Sequence, residues 1–265
     1  MIEDDYSIAE KKFTAYVSLF DLEDERIRLK YEHSLEVASL CKRIAATLKL
    51  NSQDVVVSYL CGLLHDIGRF EQLKRWGTFK DAVSCSHAKL GLEVLESKGA
   101  GSIDSFVDDL SSACIVKKAV LLHSDLCLPD NLDSRTQLFC NIVRDADKID
   151  IMRVFSECDS ETVYGISTSE AVNGRISDAA MSGFHEGRCL APADKNELLD
   201  GLVGVACFAF ELTLPVSIKV LVDSGNLSAF LDHPLTLSCD FFKDGTRNKW
   251  NEVRKTMEDW LNRNS

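Results

Sequence analysis

Four of the six histidines in this 265-residue chain, His33, His65, His87 and His123, fall on apolar helical stripes, and so do two aspartates, Asp66 and Asp147. His185 and His233 lie in polar contexts. Burying an imidazole or a carboxylate without a partner costs kilocalories. A single histidine on an apolar face is usually a core residue hydrogen-bonded to a backbone carbonyl. Six inward polar groups would each need separate satisfaction in an apolar core. One divalent cation, or two, satisfies several of them at once, and imidazole with carboxylate suits zinc, iron, manganese, cobalt or nickel.

Helices must carry these groups. Leu29, His33, Val37, Leu40, Ile44 and Leu48 recur at spacings of three and four between Ile27 and Leu50. The stretch "NSQDVVVSYLCGLLHD" follows, with Asn51 or Ser52 as N-cap, and is apolar nearly all round, the mark of a central helix. "GTFKDAVSCSHAKLGLEVLESKG" begins as a loop at Gly77, turns helical near Ser86 and stops at Gly99. A helix over 104–123 ends on His123. A long one over 134–157 lines up Cys140, Val143, Asp147, Ile151 and Val154, with Asp145 roughly opposite. The stretch from 157 to 187 is polar and unpatterned, and helices are expected over 194–211, 215–224 and 248–263. The expectation is one all-α domain over 1–265, with a helical core over about 25–160 and a helical extension over about 160–265.

Composition narrows the function. Hydrophobic residues make up 45% and charged residues 27%, as in globular proteins, and only four prolines occur. A net charge of −12 argues against a long basic groove for nucleic acid, because phosphate contacts would have to overcome the protein's own repulsion. None of the ten cysteines is spaced as CxxC, and "MIEDDYSIAE" lacks the apolar stretch of a secretory signal. Reduced thiols, a cytoplasmic location and no membrane association are expected; the apolar run from Gly201 to Phe210 is about half what a span needs. Oligomeric state is not encoded in any readable pattern.

The order H…HD…H…H…D, with "LLHDIGR" and "RDADKID", resembles the HD-domain metal-dependent phosphohydrolases. "HDIGRFEQLKRWGTFKDAVSCSHAKLGLEVL" and "IVRDADKIDIMRV" resemble a bacterial group of HD-domain proteins predicted to be hydrolases, and the likeness covers about Tyr31 to Phe155. The resemblance implies an HD-type helical bundle in which His33, His65, Asp66 and Asp147 ligate one divalent metal (Mn, Fe, Co, Ni, Zn or Mg). In two-metal members, histidines matching His87 and His123 hold a second metal and the aspartate of the HD pair bridges. No GYP motif follows His123, which argues against a cyclic-di-GMP enzyme of that kind. Ser124 stands where two-metal members of that group often have a further histidine. The expectation is therefore one tightly held metal, with His87 and His123 serving the substrate or a weak second metal.

Such a site would hydrolyse a small phosphate ester or nucleotide, as a monoesterase or diesterase. A bound cation lowers the pKa of a coordinated water toward about 7 and acts as a Lewis acid. Asp66 would ligate with one oxygen and orient or deprotonate that water with the other, beside His87 and His123. Arg69, one helical turn beyond Asp66, is the first candidate for substrate phosphate; Lys148, Lys80 and Arg75 follow. Specificity is expected from the Trp76–Cys85 loop and the segment after Glu157. Two other classes compete: a di-iron oxygenase on the same scaffold, and a nucleotide-binding regulatory module whose metal is structural or absent. "LLHSDL" sets His, Ser and Asp in a row, but triads are assembled in space and no GxSxG elbow occurs.

Overall fold

The computed structural model describes residues 2–264 other than 239 and 241; Cys239 therefore lies outside the described residues. They form helices and connecting turns, with no strand among them. The chain divides into two compact units, Met1–Asp147 and Lys148–Ser265. The division falls inside one helix, Ser134–Glu157.

In the first unit, α1 (Ile2–Val17), α2 (Glu25–Thr47), α3 (Ser52–Leu64), α4 (Gly68–Trp76), α5 (His87–Glu96) and α6 (Leu110–Leu122) precede α7 (Ser134–Glu157), which runs on past the boundary. Side chains at Asp24, Asn51, Ser86 and Asp109 accept from backbone N–H groups at the starts of α2, α3, α5 and α6, satisfying donors a helix cannot bond internally. The helix expected from 104 starts at Leu110, because Ile103–Ser105 is a separate 3-10 turn and Asp109 supplies the cap.

Helix α3 is the centre of this unit. Every residue from Val57 to Leu64 is buried, as its unbroken apolar character requires. It packs on α1, α2 and α6, while α4 packs on α5 and α2. Two glycines set how closely these helices approach. A Cβ on Gly62 would lie 2.8 Å from Ala38 Cα and the Val37 carbonyl, and one on Gly68 would lie 2.4 Å from the His87 carbonyl and Gly91 N. Helix α7 is buried on both faces from Ile142 to Ala146, so Asp145, opposite Asp147, is also buried.

In the second unit, the stretch over 157–187 that carried no pattern holds three short helices, α8 (Ser160–Tyr164), α9 (Thr168–Asn173) and α10 (Asp178–His185). Each begins with a Ser or Asp cap, and five to eight residues are too few for a periodic stripe to register. The helix expected over 194–211 is shorter, α11 (Asp200–Cys207), flanked by 3-10 turns. The buried Asp200 carboxylate explains its start: it accepts from the backbone N–H groups of Ser177, Asn196 and Glu197 at 2.7, 2.7 and 2.8 Å. Then come α12 (Pro215–Ser224), α13 (Asn226–Asp232) and α14 (Asp244–Asn264), which buries Trp250, Val253 and Met257. No described helix is long and apolar enough to cross a membrane.

Candidate metal centre

The first unit brings all six expected groups to one place. His33 comes from the middle of α2, and His65 and Asp66 occupy the bend between α3 and α4. His87 is the first residue of α5, His123 caps the end of α6, and Asp147 projects from α7. All four histidines and Asp66 are buried. The Asp147 side chain keeps 18% of its exposure, on the side open to solvent.

The imidazoles are held at their outer edges. His65 Nδ1 donates to the Gly62 carbonyl at 2.7 Å and His123 Nδ1 to the Val120 carbonyl at 2.8 Å. His87 Nδ1 donates to Asp81 Oδ2 at 2.6 Å. A carbonyl or carboxylate can only accept, so in all three rings Nδ1 carries the hydrogen and Nε2 offers a lone pair to the interior. The Nε2 atoms converge: His33 and His65 approach within 3.2 Å through Nε2, His87 and His123 within 3.0 Å.

Asp66 stands between the two pairs. Its Oδ2 lies 3.9 Å from His33 Nε2 and 3.6 Å from His65 Nε2, while Oδ1 lies 3.6 Å from both His87 Nε2 and His123 Nε2. Asp147 Oδ1 completes the first side at 3.0 Å from His33 and 3.6 Å from His65. In each triad, His33–His65–Asp66 and Asp66–His87–His123, one donor atom from every residue lies within 4.8 Å of the others. Asp66 Oδ1 is buried without a hydrogen-bond partner. A buried carboxylate oxygen without a hydrogen bond, among imidazole lone pairs, fits a cation. The residues thus fit the divalent metal that the sequence led us to expect. Asp66, His87 and His123 form a second group that could hold an ion, with Ser124 taking no part in it.

Charges hold these acids ionised. Burial alone would push the Asp66 carboxyl up, but the ammonium of Lys30, with His65 and Arg69, holds it well below the usual carboxylate range. Burial works against Asp147 too, and the neighbouring imidazoles of His33 and His65 prevail, so its carboxyl lies well below the usual range. Asp81 is lowered despite desolvation by His87, Gln72 and Arg69. Burial depresses His87 more than Asp81 and Asp66 raise it, which keeps the ring neutral and able to ligate.

The basic residues named from sequence divide. Arg69 is at the centre, but its Nη1 donates to the Phe79 carbonyl, Gln72 Oε1 and Asp81 Oδ1 at 2.7, 2.8 and 3.0 Å. Only its Nε faces Asp66, 3.4 Å from Oδ1 and without a hydrogen-bond partner. Arg75 pairs instead with Glu71 at 2.9 Å, and Lys80 is exposed on the loop. Lys148 belongs to the second unit, where it pairs with Glu211 at 3.1 Å.

Four contributors escaped the sequence reading. Lys30 reaches Asp66 Oδ2 at 2.7 Å, and its position three residues before His33 on one helix face was a usable signal. The buried amide of Gln72 donates to Asp81, Ser84 and the Cys85 carbonyl, which pins the 77–86 loop to α4. Asp81 orients His87 from within that loop, where no periodicity exists to find it. Arg144, one turn before Asp147, donates to the carbonyls of Leu122, His123, Asp125 and Leu126 and so fixes the end of α6 that presents His123.

Residues 31–152 match the family model for the HD domain, and no curated protein and no solved structure matches the chain. The matched span holds all six convergent groups, in the order H…HD…H…H…D. HD domains form a metal-dependent hydrolase superfamily. The helical frame, the order of the convergent groups and this match agree on an HD domain over residues 31–152.

Proposed function

We propose that this protein is a metal-dependent phosphohydrolase for small phosphate esters, with two divalent cations sharing Asp66. The observation that carries this reading is the division of one buried carboxylate between two pairs of inward imidazoles, with one oxygen facing each pair. His33, His65, Asp66 and Asp147 would hold one cation; Asp66, His87 and His123 would hold the other. Bound cations supply a water of lowered pKa and Lewis-acid charge for the phosphoryl oxygens.

The chain does the rest. Asp66 fixes the spacing of the two sides and keeps its charge because Lys30 and Arg69 stand beside it. Asp81 and the carbonyls of Gly62 and Val120 lock three of the imidazoles in the ligating tautomer. Burial of the histidines excludes bulk water from the interior side, so substrate meets the centre where Lys30, Arg69 and Asp147 remain partly exposed. The net charge of −12 favours a small phosphorylated molecule over a nucleic-acid polymer.

The test is metal content after purification without chelator, followed by a panel of phosphomonoesters and phosphodiesters. Hydrolysis abolished by EDTA and restored by Mn²⁺, Co²⁺, Ni²⁺ or Mg²⁺ is expected. Metal-loaded protein inactive across the panel would defeat the reading. Oxygen consumption by iron-loaded protein without phosphate release would favour an oxygenase instead.

A further inference from the structure

The open edge of the centre carries two cations of its own that the ligand set does not need. Lys30 Nζ lies 2.7 Å from Asp66 Oδ2, with 19% of its side chain exposed. Arg69 keeps 15% exposure, and its Nε–H is buried with no acceptor while its Nη1 is fully engaged by the loop. The two groups flank one aromatic ring: Lys30 Nζ stands 5.9 Å and the Arg69 guanidinium carbon 5.7 Å from the centroid of Phe79. Cation–ring contacts of this kind orient a charged head without neutralising it.

In the metal-free protein Lys30 serves as counter-ion to Asp66. Once cations occupy both triads that service is redundant, and the sign of the local charge reverses. Two divalent cations with Lys30 and Arg69 carry three more positive charges than Asp66, Asp81 and Asp147 carry negative ones. Like charges this close are costly unless an anion joins them. A phosphomonoester dianion together with one hydroxide cancels the excess, whereas a diester monoanion with one hydroxide leaves a positive charge over.

We infer that Lys30 and the Arg69 Nε–H, above the Phe79 ring, form a phosphoryl-oxygen site on the open edge of the centre, and that this site selects phosphomonoester dianions over diesters. The inference rests on the phosphohydrolase reading and adds the substrate class to it. Lys30 would move from Asp66 Oδ2 to a non-reacting phosphoryl oxygen. Arg69 Nε would gain the acceptor it lacks. Both contacts are charge-assisted, the stronger class of hydrogen bond.

The probe is inorganic phosphate, titrated calorimetrically into Mn²⁺-loaded wild type, Lys30→Met and Lys30→Arg, each checked for fold and metal content. Phosphate is expected to bind the wild type, to bind Lys30→Met about tenfold to a hundredfold more weakly at equal metal content, and to recover in Lys30→Arg. Alongside, p-nitrophenyl phosphate should be preferred over bis-p-nitrophenyl phosphate, and Lys30→Met should lose the monoester reaction more than the diester one. Equal phosphate affinity in wild type and Lys30→Met would overturn the proposal and leave Lys30 as a counter-ion only. Diester preference in the wild type would overturn the selection. Phosphate binding that depends on Lys30 in a protein that turns over no ester would sustain the anion site while defeating the phosphohydrolase reading.

Discussion

His87 Nε2 and His123 Nε2 face each other across 3.0 Å, and both rings have their Nδ1 hydrogens committed, to Asp81 and to the Val120 carbonyl. Two lone pairs at that separation repel unless a cation or a proton joins them. Protein saturated with Mn²⁺ or Co²⁺ is expected to hold two cations per chain, and the His87→Ala, His123→Ala double variant to hold one. Mass-spectrometric metal counting after gel filtration decides this. An unchanged count would hand the pair to the substrate.

Asp81 should tune the second cation without touching the first. Its carboxylate accepts from His87 Nδ1 at 2.6 Å and from the His87 backbone N–H at 3.2 Å. Such partners are worth about 10- to 100-fold in metal affinity. Asp81→Asn is expected to weaken the second cation by that factor in competition with a chelating dye, leaving the first in place. Loss of both cations together would mean that Asp81 supports the fold rather than one ligand.

Gly68→Ala tests the link between helix spacing and the site. The new methyl carbon would meet two backbone atoms at 2.4 Å, one of them the carbonyl of His87 itself. Backbone cannot rotate aside, so α4 and α5 must separate, at about 1–3 kcal/mol or more. A lower Tm with weaker binding of the second cation is expected. Gly245→Ala, where a Cβ meets nothing within 4 Å, is the control and should leave both unchanged. Equal Tm for the two variants would show that the close approach at Gly68 costs nothing to relax.

The helices carrying ligands were legible because periodicity is a property of long amphipathic segments, and α2, α3, α5 and α7 are long enough to show it or apolar enough to be central. His33 and Asp147 could be placed inward from spacing alone. What spacing does not carry is the role of a residue fixed by tertiary contact. Arg69 sits one turn from Asp66 as expected, yet its Nη1 is spent on Gln72 and on Phe79 and Asp81 of the 77–86 loop. Asp81 lies in that loop, and Lys148, a candidate for substrate phosphate because it adjoins Asp147, pairs with Glu211. The short helices α8 to α10 left no stripe to read.

The cysteines offer a check on burial that is independent of the metal. Burial pushes the Cys140 thiol up to about 11 and the Cys207 thiol up to about 12, whereas Cys114 and Cys127 are exposed. Reactivity follows the thiolate and its access. At pH 8 a thiol reagent should label Cys114 and Cys127 rapidly and spare Cys41, Cys61, Cys140 and Cys207 until denaturant is added. Peptide mapping that finds Cys140 or Cys207 among the first residues modified would contradict the packing around α7 and α11.

The candidate ligands are spread over most of the first unit, from His33 in α2 to Asp147 in α7. A cation held there is a reversible cross-link that closes long loops, and the entropy of those loops is lost from the unfolded ensemble only while the ion is bound. Free cation at a hundredfold above its dissociation constant adds about 2.7 kcal/mol to the stability of the folded unit. The first ligand set also stays one member short during synthesis until α7 has left the ribosome. On that reading metal supply would govern how long the chain persists as well as what it can do, and starvation for metal would be read first as proteolysis.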